Sequence, residues 1–166
     1  MGHASLQCKT VLSASDIAAT ARLARQIWEQ HYTPIIGTEQ VNYMLTKFQS
    51  EAAIAQQIEE GYDYTLWQTD KPVGYLCIQE RENHLFISKI YVTQPERGKG
   101  YGKEMMNYAM AIAADKALQI IRLTVNKHND KSIAAYQKMS FTIRRAVVFD
   151  IGQGYVMDDY EMELEV

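Results

Sequence analysis

Residues 90–106 read IYVTQPERGKGYGKEMM, and this stretch decides the fold. An apolar, β-branched run ends at Pro95, which cannot donate a hydrogen bond to a sheet and so stops a strand. After Gly102 the apolar residues recur with helical spacing. The glycines therefore lie between a strand and the N-terminus of a helix. Free backbone N–H groups and the positive end of the helix dipole favour an anion at such a junction.

The loop itself has the composition of a phosphate site. Glycines let the backbone close around a phosphate that side chains would block, and the neighbouring cations add positive charge. The residues that we expect to bind a diphosphate are Arg97, Gly98, Lys99, Gly100, Gly102 and Lys103. The simpler interpretation is a glycine-rich turn that only starts a helix.

Two familiar phosphate loops do not fit this stretch. The Walker pattern needs a glycine before its Gly-Lys pair and Ser or Thr after it, but Arg97 and Glu104 occupy those places. The dinucleotide pattern Gly-x-Gly-x-x-Gly has one more residue than the spacing of Gly98, Gly100 and Gly102. The loop is therefore of another kind.

Arg97, Gly100 and Gly102 match the Gln/Arg-x-x-Gly-x-Gly/Ala signature of the GNAT superfamily of N-acetyltransferases, which the chain resembles. In that family the loop holds the pyrophosphate of acetyl-CoA. The resemblance thus implies acetyl-CoA as cosubstrate.

A second motif supports the resemblance. Residues 123–141, LTVNKHNDKSIAAYQKMSF, are similar to the family element in which a strand leads to Asn and then to a short helix ending in Tyr-x-Lys-x-Gly-Phe. Asn129, Tyr136, Lys138 and Phe141 match its positions, while Ser140 replaces the usual glycine. The turn after this helix could therefore differ in shape.

The same patterns predict the order of helices and strands. A cap cluster at residues 13–16 opens a helix that we expect to end near His31, broken by Pro34. Thr38 and Ser50 are expected to cap two further helices. From Tyr62 the apolar period changes to two, which gives the order β-α-α-α-β-β-β-α-β-α-β-β.

The resemblance implies an α/β (α+β) fold in a single N-acetyltransferase domain over residues 1–166. Its central sheet would be mixed and mostly antiparallel, with about seven strands and helices on both faces. In relatives, the strand before the loop splays from its neighbour, so that free backbone groups bind the pantetheine arm. By position those residues are Ile90, Tyr91 and Val92, and one N–H there would polarise the thioester.

The chemistry implied is direct transfer of an acetyl group from a thioester to an amine. Tyr136 is the proposed general acid, because a phenol stays protonated at neutral pH; otherwise it is a tyrosine packed on a helix. Asn129 would bind the amide arm of the cofactor, cap the helix, or do both. Lys138 is expected near the cofactor as well.

The general base is left open by the sequence. The candidates near the expected site are Glu29, His31, Glu80, Glu82 and His84, each of which is also an ordinary surface charge or packed side chain. The four histidines and two cysteines have no metal-ligand spacing, so no metal is expected.

Residues 28–36, 39–45 and 154–160 resemble the polyamine-acetylating branch of bacterial GNAT proteins. The acceptor would then be a small primary amine such as a polyamine, attracted by the acidic residues of the last strand: Asp158, Asp159, Glu161, Glu163 and Glu165. Protein or peptide N-acetylation, and a non-catalytic acyl-CoA sensor, are the alternatives.

Charge and composition limit the partners. A formal net charge of −3 argues against a nucleic-acid binder, and we expect no membrane association because no apolar run is long enough for a span. Cys8 and Cys77 are expected to be reduced and buried, in a cytoplasmic protein. A homodimer is implied by family habit alone.

Overall fold

A computed structural model describes residues 5–166. The helices in this part of the chain are α1 (Ala14–Ile36), α2 (Thr38–Phe48), α3 (Glu51–Glu59), α4 (Tyr101–Asp115) and α5 (Asp130–Lys138). The strands are β1 (Gln7–Thr10), β2 (Asp63–Gln68), β3 (Pro72–Glu80), β4 (Leu85–Val92), β5 (Ile120–Asn126), β6 (Thr142–Gly152) and β7 (Tyr155–Glu165). This is the predicted order of elements.

The seven strands of the described chain form one sheet in the order β1-β2-β3-β4-β5-β7-β6. Only the pair β4–β5 is parallel; each of the other pairs is antiparallel. The mixed, mostly antiparallel sheet of the predicted fold class is confirmed. The parallel pair is the one that the α4 crossover connects, as expected for a strand–helix–strand unit.

The pairing of β4 with β5 stops early. Its ladder covers Leu85–Ile87 against Ile121–Leu123, although β4 continues to Val92 and β5 to Asn126. Beyond Ile87 the backbone edge of β4 that faces β5 is therefore free of ladder bonds. This is the splay that the family resemblance implied.

Helices cover both faces of the sheet. On one face α4 and α5 bury Met105, Met106 and Ile133 against the sheet. On the other face α1, α2 and α3 bury residues such as Ile27 and Leu45. These two apolar layers hold the splayed strands between them, because each layer packs against β4 or its neighbours.

Helix ends agree with the sequence in two places and differ in two others. Ser13 and Ser50 cap α1 and α3 through their hydroxyls, which accept from the N–H groups three residues on, as predicted. Thr38 was wrong as a cap: Gly37, at φ 87°, precedes α2 and offers no side-chain bond. Pro34 does not break α1, which continues to Ile36. The helix loses one hydrogen bond at Pro34 and ends within a turn of it.

The two cysteines differ in burial. Cys77 is buried on β3, as predicted, but Cys8 is exposed, so the expectation of two buried thiols is wrong for Cys8. The reason is topological: β1 is the edge strand of the sheet, and all four of its residues are exposed. Period-two alternation in the sequence does not reveal that a strand lies at an edge.

Candidate active site

The glycine-rich loop joins β4 to α4 through a 3₁₀ turn. Gly98 (φ 81°) and Gly100 (φ 85°) have left-handed backbone conformations that residues with a Cβ rarely adopt. The first backbone hydrogen bond of α4 runs from the N–H of Glu104 to the carbonyl of Gly100, at 3.1 Å. The N–H groups of residues 101–103 precede that bond and so have no helical partner. The loop therefore has the free donors and the helix N-terminus of an anion site.

Gly102 differs from Gly98 and Gly100 in its backbone conformation. It lies in the first turn of α4 with no left-handed φ, and, apart from its chain neighbours and the backbone of its own helix, no heavy atom of the described chain lies within 4 Å of a Cβ built on it. The protein alone therefore does not require a glycine at this place.

The cations of the loop differ in how free they are. The Nε of Arg97 donates to the carbonyl of Val92 at 3.1 Å, which turns the guanidinium back toward β4. Lys99 forms an ion pair with Glu96 at 2.7 Å, so its charge is already partly offset. Lys103 is exposed. The pairing of Lys99 was missed at the sequence level, although the i,i+3 spacing from Glu96 is its signal.

A narrow slot separates β4 from β5 beyond the end of their ladder. It is lined by residues 87–91 of β4, residues 123–125 of β5, Asn129 at the N-cap of α5, Ser132 and Tyr136 of α5, and Tyr32 of α1. The fold thus brings together four residues that were singled out from two separate motifs: Ile90, Tyr91, Asn129 and Tyr136.

Besides the six loop residues, two predicted residues do not line the slot. Val92 lies at the mouth, paired with Gly74 of β3, and its carbonyl accepts from Arg97. Lys138 is exposed in the last turn of α5.

Tyr136 is packed so that its phenol remains protonated. Its ring lies 5.7 Å from that of Phe141. Burial raises the pKa of Tyr136 well above its usual range, and Tyr32 acts in the same direction. Tyr136 lines the slot. A protonated hydroxyl facing a slot can donate to a ligand atom there.

Asn129 has two partners. Its Oδ1 accepts from the N–H of Ser132 at 3.3 Å and so caps α5, as predicted. Its amide nitrogen lies 2.8 Å from Nε2 of His31, on α1. Burial lowers the pKa of His31, and the positive charges of Arg97 and Lys131 lower it further. A neutral imidazole can accept the amide hydrogen of Asn129, so His31 has a positioning contact that the sequence did not indicate.

A larger cleft of about 360 Å³ adjoins the slot, between the sheet and helices α1–α3. Its aromatic walls are formed by Trp28, Tyr32, Phe48, Tyr62, Phe86 and Tyr91. The hydroxyls of Tyr32 and Tyr91 lie 2.8 Å apart and tie α1 to the splayed strand. Tyr32, Tyr91 and Thr124 line both cavities, so the cleft opens onto the slot.

Two ionisable residues face the cleft from the sheet. Asp159 of β7 is only 3% exposed; burial raises its pKa to about 6, and the neighbouring Asp158 acts in the same direction. Lys89 of β4 donates to the hydroxyl of Ser88 at 2.7 Å, and burial lowers its pKa. In the described chain no carboxylate oxygen lies within 4 Å of its ammonium. Neither residue was singled out as catalytic from the sequence, because their burial depends on how the strands associate.

The five residues that the sequence offered as general bases differ in their burial and in their contacts. Glu29 pairs with Arg25, Glu80 pairs with Lys116, and both carboxylates are exposed. Glu82 is exposed on the turn before β4. His84 is buried beside Asn83, 2.7 Å from its Oδ1. His31 alone among the five contacts a residue of the slot, through Asn129.

The acidic residues of β7 are not a free cluster. Glu161 is paired with Arg145 at 2.9 Å, and Glu163 with Arg122. Asp158 pairs with Lys127 at 2.9 Å. Asp159 is therefore the residue of this group that faces the cleft without an ion pair in residues 5–166.

Residues 5–166 contain no group of three His, Cys, Asp or Glu side chains arranged to hold a metal ion. None of the helices in this range has the length and apolar character needed to cross a bilayer.

Comparison with known proteins agrees with this geometry. Residues 22–141 match the family model described as "Acetyltransferase (GNAT) family". A crystal structure of a PaiA N-acetyltransferase from Thermoplasma acidophilum, in complex with coenzyme A, superposes with a TM-score of 0.82. It has 20% sequence identity and covers 98% of this chain and 99% of that one.

Two curated relatives align in part. The mycothiol acetyltransferase of Corynebacterium efficiens is 30% identical over 89 residues, which is 51% of this chain and 29% of the relative. The 5-NmdU N-acetyltransferase of Pseudomonas phage PaMx11 is 31% identical over 98 residues, 58% of this chain and 65% of the relative. The alignment thus spans less than two thirds of either relative.

Proposed function

The chain belongs to the GNAT family of acetyltransferases, and from this premise we propose that it transfers the acetyl group of acetyl-CoA directly to a primary amine of a small molecule. One observation carries the proposal: the free edge of β4 faces β5 across a slot that has Tyr136 on its wall and opens into a separate cleft. Such an arrangement provides one compartment for a thioester and another for its acceptor.

The proposed cosubstrate site extends along this edge. The diphosphate binds at the loop of residues 97–103, where free N–H groups and the dipole of α4 favour an anion. The pantetheine arm lies against the backbone of Ile90 and Tyr91 in the slot and passes Val92 at its mouth, and Asn129 contacts it from the N-cap of α5. The positive φ of Gly98 and Gly100 supports this assignment, because it turns successive N–H groups outward.

The proposed reaction has three parts. The amine nitrogen attacks the thioester carbonyl, whose oxygen is stabilised by a backbone N–H of β4. The carbon–sulfur bond then breaks, and the amine loses a proton. The hydroxyl of Tyr136 donates to sulfur as negative charge develops there, which its raised pKa supports because the phenol is protonated at neutral pH.

Asp159 is the proposed acceptor of the proton from the amine. It lies at the wall of the cleft, and its pKa of about 6 keeps it largely ionised at pH 7 while allowing it to take up a proton. An ionised carboxylate there would also attract the ammonium form of the acceptor. Both roles need only one buried carboxylate, and Asp159 supplies it.

Among small amines, the resemblance of residues 28–36, 39–45 and 154–160 to polyamine acetyltransferases suggests a polyamine. The aromatic walls of the cleft support such an acceptor, because a methylene chain packs on them and an ammonium can lie over a ring. A protein or peptide N-terminus is the second candidate for the acceptor.

An acceptor screen tests the proposed function. The protein is incubated with acetyl-CoA and each member of a panel of polyamines, diamines, amino acids, aminoglycosides and short peptides, and free thiol and acetylated product are measured. We expect acetylation of small amines. Acetyl-CoA binding by calorimetry without acetylation of any member would contradict the proposal and favour a sensor.

Three further assignments are proposals of the same kind. The first is a single domain over residues 1–166. The second is a homodimer, which light scattering would detect. A cytoplasmic location is consistent with the use of acetyl-CoA and with the thiol of Cys77 being free.

A further inference from the structure

The acceptor cleft does not end at its aromatic walls. A second cavity of about 620 Å³ continues from it, and the two share Phe48, Tyr62, Phe86, Thr124 and Met157. We call this second cavity the basic basin, because its lining includes Lys47, Arg81, Arg122 and Arg145. A molecule whose amine lies beside Asp159 could thus extend past Phe86 into the basic basin.

The cations of the basic basin outnumber its acids. Asp150 and Glu161 are the carboxylates that line it, and Glu161 already bonds Arg145 at 2.9 Å. Arg122 is paired with Glu163, which is not among the residues that line the basic basin. Within residues 5–166, neither Arg81 nor Lys47 has a carboxylate oxygen within 4 Å. Two positive charges of the basic basin are therefore not neutralised by the protein.

Arg81 is held in place although it has no acidic partner. Its Nε donates to Oε1 of Gln79 at 3.0 Å, and its guanidinium lies 4.0 Å from the ring centre of Phe86. A second donor, Nη2, reaches the hydroxyl of Tyr62 at 3.4 Å. Phe86 and Tyr62 line both cavities, so the guanidinium lies where the cleft becomes the basic basin. This orientation suits a guanidinium that binds an oxyanion.

His84 also lines the basic basin and is only 7% exposed. Its Nδ1 lies 2.7 Å from Oδ1 of Asn83, which leaves Nε2 as an acceptor without a partner in the described chain. Because an acceptor does not bind an oxyanion, the basic basin offers Arg81 and Lys47, and not His84, to such a group.

We propose that the acceptor carries an oxyanion, a carboxylate or a phosphate, at the end opposite its reactive amine, and that this group binds in the basic basin against Arg81 and Lys47. The amine then faces Asp159 and the slot, while the chain between the two groups lies on the aromatic walls. The proposal rests on the proposed function and narrows its acceptor to a small amine with an anionic far end, in place of the polyamine that the sequence resemblance suggests. A polyamine has ammonium groups at both ends and would place one of them among these cations.

Matched acceptors test the proposal. Each pair has the same methylene chain and differs only at the far end: aminohexanoate against diaminohexane, and aminooctanoate against diaminooctane. Aminohexyl phosphate distinguishes a phosphate from a carboxylate. We expect kcat/KM of the purified enzyme to be at least about tenfold higher for the anionic member of a pair, as for one charge-assisted hydrogen bond.

Variants then assign the difference to the basic basin. Arg81→Gln should lower the ratio of the two kcat/KM values by about tenfold, and Arg81→Lys should lower it less because the charge remains. Arg22→Gln, an exposed arginine of α1, is the matched control and should keep the wild-type ratio.

The outcomes separate the two levels of the account. Equal or better acetylation of the diamines by the wild-type enzyme, or an unchanged ratio in Arg81→Gln, would overturn the oxyanion proposal and leave the acetyltransferase proposal intact. Acetylation of no amine at all would overturn both.

Discussion

The side-chain amide of Asn129, at the start of α5, lies 2.8 Å from Nε2 of His31 on α1, although 98 residues separate them in the sequence. The contact joins α1, on one face of the sheet, to the N-cap of α5, which borders the slot between β4 and β5. It requires a neutral imidazole, because protonated Nε2 would be a donor facing another donor. The position of Asn129 in the slot is thus linked to the ionisation of His31.

The first prediction concerns stability and pH. Because the pKa of His31 is lowered on folding, the unfolded chain binds more protons as pH falls below about 6.5, and this residue makes the folded protein less stable there. The stabilisation that neutral His31 gives to the folded protein is fully present above about pH 6.5, and it is lost as pH falls through the pKa of the folded state. Urea titrations across this range should show a smaller loss of unfolding free energy in His31→Gln than in the wild type.

The control for this measurement is His84→Gln. Burial also lowers the pKa of His84, so its variant should change the same slope, but it lies away from Asn129. The pH dependence of acetyl-CoA affinity should therefore differ from that of the wild type in His31→Gln and not in His84→Gln. An identical pH dependence of affinity in both variants would remove the link between His31 and the slot.

The second prediction concerns Tyr136. Tyr136→Phe keeps the ring that packs on Phe141 and removes the hydroxyl. We expect kcat to fall by roughly 10²–10⁴-fold, the usual effect of losing a general acid, with little change in acetyl-CoA affinity. Tyr108→Phe on α4, whose ring packs against Trp67, is the control. If both variants had near-normal turnover, Tyr136 would have no part in the chemistry.

The third prediction separates backbone strain from ligand contact in the loop. Gly100→Ala should cost about 1–2 kcal/mol of unfolding free energy because of its left-handed φ. Gly154→Ala, in the β6–β7 hairpin turn at φ 79°, should cost a similar amount but leave acetyl-CoA affinity unchanged. Denaturation measures the unfolding free energy of both variants, and calorimetry measures their affinity for acetyl-CoA.

Gly102→Ala is the most informative variant of the loop. Outside its own helix backbone and chain neighbours, nothing in the described chain lies within 4 Å of the added Cβ, so stability should not fall. Acetyl-CoA affinity should fall, because a diphosphate at the start of α4 would contact that Cβ. Unchanged affinity in this variant would place the diphosphate elsewhere.

The fourth prediction concerns Asp159. If it accepts the proton of the amine, kcat/KM for the acceptor should rise with pH through about 6, the pKa of its carboxyl. Asp159→Asn should abolish this limb and lower the rate above it. A limb retained in Asp159→Asn but lost in His31→Gln would assign the group to the imidazole instead. Initial rates across the pH range distinguish the two.

Local features of the fold could be predicted from the sequence. The glycine-rich loop between β4 and α4, and the caps Ser13 and Ser50, depend on residues that are neighbours in the chain. Their short-range chemistry is the same in a sequence as in a structure. The motifs around Arg97 and Tyr136 were found for the same reason.

Features that depend on which strands are neighbours could not be predicted. β7 lies between β5 and β6, which buries Asp159 in the cleft and gives Glu161 its arginine partner. β1 lies at the edge and exposes Cys8. Five acidic residues spaced along one strand look equivalent in the sequence, and only the packing separates Asp159 from the rest.

The most direct test of the account is a crystal structure of the protein with acetyl-CoA bound. We predict a diphosphate within about 3.2 Å of the backbone N–H groups of residues 100–103, and a thioester between β4 and β5 beside the hydroxyl of Tyr136. A cosubstrate bound outside this slot, or a loop whose N–H groups do not contact the diphosphate, would contradict it.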